Sequence, residues 1–236
     1  MIRDHEYQKI NSLFMREGKK PRRFTTEFAN PAFPLIAEWD IYEKINGTNI
    51  RVIYFPPETV DGVPVEGSED HIYFGGRTKD AQINANLMDY LRKTFTIEKF
   101  RSNAVPFECP VIICGEGIGP NIHEGKYLGE EYGFVLFDVI IDKWWLEDDK
   151  KEELAAHFGV KTCPKIMLTH DGGEHGTSFY KKHDLTNIIE YVKSNPNSLF
   201  ANQEYPMEGV VCRTTPALFD KHGKMLIFKL KTKDFN

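Results

Sequence analysis

Lys44 stands in the run Glu43-Lys44-Ile45-Asn46-Gly47-Thr48-Asn49-Ile50, between the apolar stretches 34–37 and 50–55. A glycine three residues after a lysine lets the backbone come close to a ligand or adopt positive φ beside the amine. Thr48 and Asn49 add hydrogen-bonding groups at the same place. Such a lysine suits nucleophilic attack on a phosphate; the plainer reading is a turn between strands that happens to hold a lysine. Three more features could take part. Glu116 lies between two glycines in Gly115-Glu116-Gly117, at the end of an apolar run, and would otherwise be an exposed acid in a glycine-rich turn. Lys229 and Lys231 alternate with Phe228 and Leu230, which puts both lysines on one face of a strand, either solvated or holding a polyphosphate. Glu208 precedes the strand-like Gly209-Val210-Val211 in the same manner as Glu116.

The elements that must position these groups alternate between the two periods. Residues 2–15 and 81–101 read as helices, the second from an i, i+4 ladder of Ile83, Leu87, Leu91 and Phe95, and further helices are expected over 147–158 and 184–194. Strands are expected at 50–55, 71–74, 110–114, 133–141, 165–169 and around 208–213 and 225–231. The pattern predicts an α+β fold of mostly antiparallel strands with helices outside. The 115–119 glycines do not make a dinucleotide fingerprint, because Pro120 and Ile122 stand where its last glycine belongs, and Gly125-Lys126 lacks the spacing of a phosphate-binding loop.

With 236 residues, 41% hydrophobic and 28% charged, the chain has the composition of an ordinary globular protein. A net charge of −5 argues against a general nucleic-acid coat and leaves room for a local basic track, of which Arg16 to Arg23 is the densest, either as a phosphate-contacting loop or as a solvated linker. Four cysteines without a CxxC pair, and an N-terminus too polar for a signal peptide, predict reduced thiols and a cytoplasmic location.

Taken in order, Lys44-Ile45-Asn46-Gly47-Thr48-Asn49, Arg77, Gly115-Glu116-Gly117-Ile118-Gly119-Pro120, Phe137-Asp138, Glu208-Gly209-Val210-Val211 and Lys229-Leu230-Lys231 resemble the collinear motifs of covalent nucleotidyltransferases. The similarity is greatest to the RNA ligase 2-like branch of ATP-dependent RNA ligases and spans residues 43–231. It implies a nucleotidyltransferase fold (ATP-grasp-like); related ligases usually continue into a C-terminal domain, and the expectation here is a single adenylyltransferase domain over 1–236 without that accessory domain. It further implies that Lys44 attacks the α-phosphate of ATP, giving a lysyl-AMP intermediate, and that AMP passes to an RNA 5′-phosphate which is sealed to a 3′-hydroxyl. Lys229 and Lys231, with partial burial, would favour a neutral attacking amine and bind the α-phosphate. The resemblance assigns Mg²⁺ to Glu208, the ribose hydroxyls to Glu116, the adenine face to Phe137, and other nucleotide contacts to Glu43, Asn49 and Arg77. Asn46 departs from the Asp or His that many members carry at its position. The chain ends five residues after Lys231, so self-adenylylation with weak strand sealing is the expectation. DNA ligation, a capping-type transfer, or a non-catalytic nucleotide- or RNA-binding domain are the alternatives.

Overall fold

The computed structural model describes residues 6–18, 23–60, 63–78, 80–102, 107–123, 129–170, 179–180 and 183–235. In chain order the principal strands are β1 (Phe14–Glu17), β2 (Arg23–Phe28), β3 (Asp40–Glu43), β4 (Thr48–Phe55), β5 (His71–Gly76), β6 (Val111–Ile118), β7 (Gly133–Ile141), β8 (Gly209–Arg213) and β9 (Ile227–Lys231). The helices are α1 (Ala85–Thr94), α2 (Ile97–Arg101), α3 (Asp148–Phe158) and α4 (Leu185–Lys193). The chain forms two compact units, each assembled from two segments: residues 1–7 with 46–162, and residues 8–45 with 163–236.

The first unit is built on a six-stranded sheet in which β7, β6, β4 and β5 are antiparallel neighbours, with the short strand Trp144–Trp145 beyond β7. Lys161–Thr162 also joins β7, in parallel. Alternation along β4, β6 and β7 sends Ile50, Val52, Val111, Ile113 and Leu136 into one core, where they meet Leu87, Leu91, Phe95 and Phe158 from the helices. The four ladder residues do pack in this core, but the single helix expected over 81–101 is two, 85–94 and 97–101, with Ile83 and Phe95 outside both. Thr96 accepts a hydrogen bond from Lys99 N–H and starts α2 afresh, and Asn84 caps α1 by accepting from Asn86 and Leu87 N–H.

In the second unit the sheet has five strands, ordered Asn11–Ser12, β9, β8, β3 and Lys165–Ile166. Phe228 and Leu230 are fully buried, with Ile41, Val210, Ile188 and Val192 around them. Lys229 and Lys231 point to the opposite face, as the period of two requires.

Three expectations need correction. Within 2–15, residues 11–12 and 14–17 are strands, and 1–5 lie outside the described residues. Phe14 stacks on Phe28 at 5.3 Å and meets Phe24 edge-on at 5.9 Å, so cross-strand aromatic pairing outweighs the helical spacing. The 165–169 strand is two short pieces, Lys165–Ile166 and Thr169–His170. The strand expected to stop at Cys114 continues to Ile118, so Glu116 sits inside a sheet and not on a turn. Gly115 belongs there because a Cβ would lie 2.2 Å from the Phe134 ring. Of the basic track, residues 19–22 lie outside the described residues. No described helix is long and apolar enough to cross a membrane.

Candidate active site

Lys44 follows β3 directly, and its N–H donates to the Gly209 carbonyl, which ties it to the start of β8. Its Nζ donates to Glu208 Oε2 at 2.6 Å, while Lys231 Nζ donates to Glu208 Oε1. One carboxylate thus holds two ammoniums, each side chain being about four-fifths buried or more. Burial works to raise the Glu208 carboxyl, but Lys44 and Lys231 together hold it below the ordinary range. Lys229 stands two residues before Lys231 on the same face. Burial, then the nearby Lys44 and Lys231 charges, lower its amine to about 8. Gly209 makes this arrangement possible: its φ is +149°, and a Cβ would lie 2.0 Å from the Leu230 carbonyl oxygen. A further tie comes from Asp234, which accepts from Lys231 N–H and pairs with Arg16 at 2.6 Å.

Glu43, expected to contact the nucleotide, has its carboxylate turned into this unit. Ser198 Oγ and the N–H groups of Leu199 and Phe200 donate to it, and burial outweighs them in raising its carboxyl. It therefore anchors the loop that leads through Met207 to Glu208.

In the first unit the register brings other site residues together. Asn49 on β4 pairs directly with Glu116 on β6, and Glu116 in turn with Val135 on β7. Gly47 comes so close to β6 that a Cβ would lie 2.4 Å from the Gly117 carbonyl oxygen. The glycine expected to let the backbone near a ligand lets it near a strand. Asn49 Oδ1 is buried without a hydrogen-bond partner among the described residues. Phe137 falls at a bulge, where the β6–β7 register shifts between Leu136 and Asp138. Arg77 is exposed just beyond β5.

Sequence reasoning missed Asp234, Arg51 and Tyr7, and quoted Asp138 beside Phe137 without giving it a role. A charge inside an apolar strand was the available signal for Arg51 and Asp138, which are 0% and 2% exposed. Tyr7 and Asp234 carried none.

The RNA ligase family model matches residues 37–231, and the chain belongs to the RNA ligase family. Its fold is that of an RNA ligase-like nucleotidyltransferase. One similar solved structure is a lysine-to-alanine variant of Naegleria gruberi RNA ligase with ATP and Mn, 16% identical with a TM-score of 0.54, covering 98% of this chain and 62% of that one. The same ligase with PPi is 19% identical with a TM-score of 0.54, covering 87% and 53%. A lysine-to-methionine variant with AMP and Mn is 17% identical with a TM-score of 0.54, covering 98% and 62%. At these identities the likeness is one of fold, and the chain spans between about half and three-fifths of their length. No curated protein matches the chain.

Proposed function

We propose that this chain is an ATP-dependent RNA ligase acting through a covalent AMP adduct on Lys44. The observation that carries the proposal is the Lys44–Glu208–Lys231 cluster with Lys229 on the same face. A nucleophilic amine, a carboxylate touching it and two further cations are what transfer of a nucleotidyl group to nitrogen requires. The Lys44 lone pair forms the N–P bond to the α-phosphorus while the bond to the β-phosphate oxygen breaks and pyrophosphate leaves. The proton from Lys44 goes to solvent, and Glu208, 2.6 Å away, orients the amine. Lys229 and Lys231 stabilise the charge that builds on the phosphate oxygens.

The first unit supports nucleotide binding by its chemistry. Buried Asn49 Oδ1 is an acceptor awaiting a donor, which a sugar hydroxyl supplies. Its neighbour Glu116 is a second acceptor for hydroxyls, and Phe137 offers an aromatic face to the adenine. Among the described residues no group of three or more His, Cys, Asp or Glu is arranged to hold a metal. Magnesium is ordinarily held by one or two carboxylates together with substrate phosphates, so the donor set fits an ion carried by the nucleotide, with Glu208 as its carboxylate. There it would neutralise phosphate charge. Transfer of AMP to an RNA 5′-phosphate and sealing by a 3′-hydroxyl complete the reading, in a single adenylyltransferase domain working in the cytoplasm.

Incubation with α-labelled ATP, or separately GTP, plus Mg²⁺, followed by a denaturing gel and intact mass, tests it. The expected result is an AMP adduct that disappears in Lys44→Ala. Folded, unmodified protein that forms no adduct with either nucleotide would leave a binding module instead.

A further inference from the structure

We propose that Tyr7 is a positioning residue for the nucleobase, holding the Phe137 ring through Asp138. The inference rests on the proposed stacking of Phe137 on adenine. It begins with the bulge in β7. Leu136 faces the core and pairs with Gly115, whereas Asp138 pairs with Cys114, whose side belongs to the other face with Glu116 and Asn49. The extra residue between them, Phe137, therefore lies on the same face as Asp138, and two successive side chains project together. In a regular strand they would project to opposite faces, and Asp138 could not serve its neighbour.

Tyr7 engages both. Its ring meets that of Phe137 at 5.0 Å and 64°, and its hydroxyl donates to Asp138 Oδ2 at 2.5 Å. An edge-to-face contact restrains the orientation of the Phe137 ring, and a hydrogen bond to a carboxylate is among the stronger kinds. The partners are themselves fixed. Asp138 is 2% exposed, in one cross-strand row with Cys114 and Arg51, both 0% exposed. Arg51 Nε in turn donates to the carbonyl of Gly76, the residue before Arg77. Lys151 on α3, 4% exposed, donates to the Phe137 carbonyl at 3.4 Å, lies 4.0 Å from Asp138 Oδ1 and pairs with Asp148 at 2.7 Å. The backbone at the bulge and the ring above it are thus held from two directions. Far less rotamer freedom remains to be lost when a base stacks on Phe137.

A residue acting in this way affects nucleotide binding and not the chemistry at the α-phosphate. The test measures the rate of AMP-adduct formation against ATP concentration in the full chain. In Tyr7→Phe, which loses only the hydroxyl, KM for ATP is expected to rise about tenfold with kcat within about twofold, the scale of one hydrogen bond to a charged group. In a Phe137→Leu background the same change is expected to shift KM less than about twofold, because coupled residues are not additive. Asp138→Asn, which keeps an oxygen for the hydroxyl, is expected to raise KM less than Asp138→Ala. An unchanged KM in Tyr7→Phe overturns the proposal, as does an equal effect in the Phe137→Leu background or the reverse order at Asp138. Those outcomes leave the adduct itself intact. Absence of any adduct in the unaltered chain overturns the ligase reading and this inference together.

Discussion

Lys229 has no ion pair among the described residues, and its half-buried ammonium lies near two others. Burial first, and Lys44 and Lys231 after it, bring its amine to about 8 in the folded chain, against 10.5 when unperturbed. Between those values the unfolded chain binds more protons than the folded one, so stability rises with pH across that window. Below it the charge is a cost carried by the fold. Lys229→Met should therefore raise the thermal midpoint at pH 7, with the gain shrinking above pH 8, while adduct formation falls. A lower midpoint for the variant at pH 7 would contradict the picture of an uncompensated cation. Much of this residue-scale site could be read in advance. The spacing of Lys229 and Lys231 fixes their shared face, whereas Gly209 reads only as the start of a strand and its φ of +149° is seen in the structure alone. The carboxylate of Glu43 could not be read, because its partners at 198–200 are 155 residues or more away and only the folded sheet brings them near.

At the scale of the elements, Gly209 bears on the site more than any other glycine described above. Alanine there needs a φ of +149° that an L side chain resists, and its Cβ would sit against the Leu230 carbonyl. Gly159, which ends α3 at φ +74°, has nothing within 4 Å of such a Cβ. Urea unfolding should show Gly209→Ala losing more than about 2 kcal/mol, and Gly159→Ala nearer about 1 kcal/mol, the ordinary cost of an occupied left-handed cap. Equal losses would mean that the β8–β9 pairing yields more easily than its geometry implies. The helices and the alternation of β9 were legible because their signals are local. The continuation of β6 through Gly115-Glu116-Gly117 was not, since the glycines that make room for Phe134 look like turn residues in a one-dimensional reading. The β1–β2 hairpin was obscured for the same reason, as its aromatic pairs join residues ten or more apart.

For the whole molecule, the telling fact is that each unit is made from two separate stretches of chain. The polypeptide leaves one unit and enters the other between Ile45 and Asn46, so the motif that begins at Lys44 is shared between them. Under the proposed function, nucleotide binding should stabilise the native protein by mass action. ATP at a hundred times its Kd is expected to add about 2.7 kcal/mol, which calorimetry on a Lys44→Met variant can read without a covalent adduct. A midpoint unmoved by ATP would count against a nucleotide site in this chain.

The triad of ammoniums around Glu208 has an electrical consequence. As ammoniums, Lys44, Lys229 and Lys231 with one carboxylate give the cluster two net positive charges, a field that draws in a polyphosphate. Formation of the proposed adduct turns one ammonium into a neutral nitrogen bearing an anionic phosphate, and the cluster falls to zero. The first half-reaction thereby discharges the site. The departing pyrophosphate loses the field that held its parent, and a second triphosphate meets none.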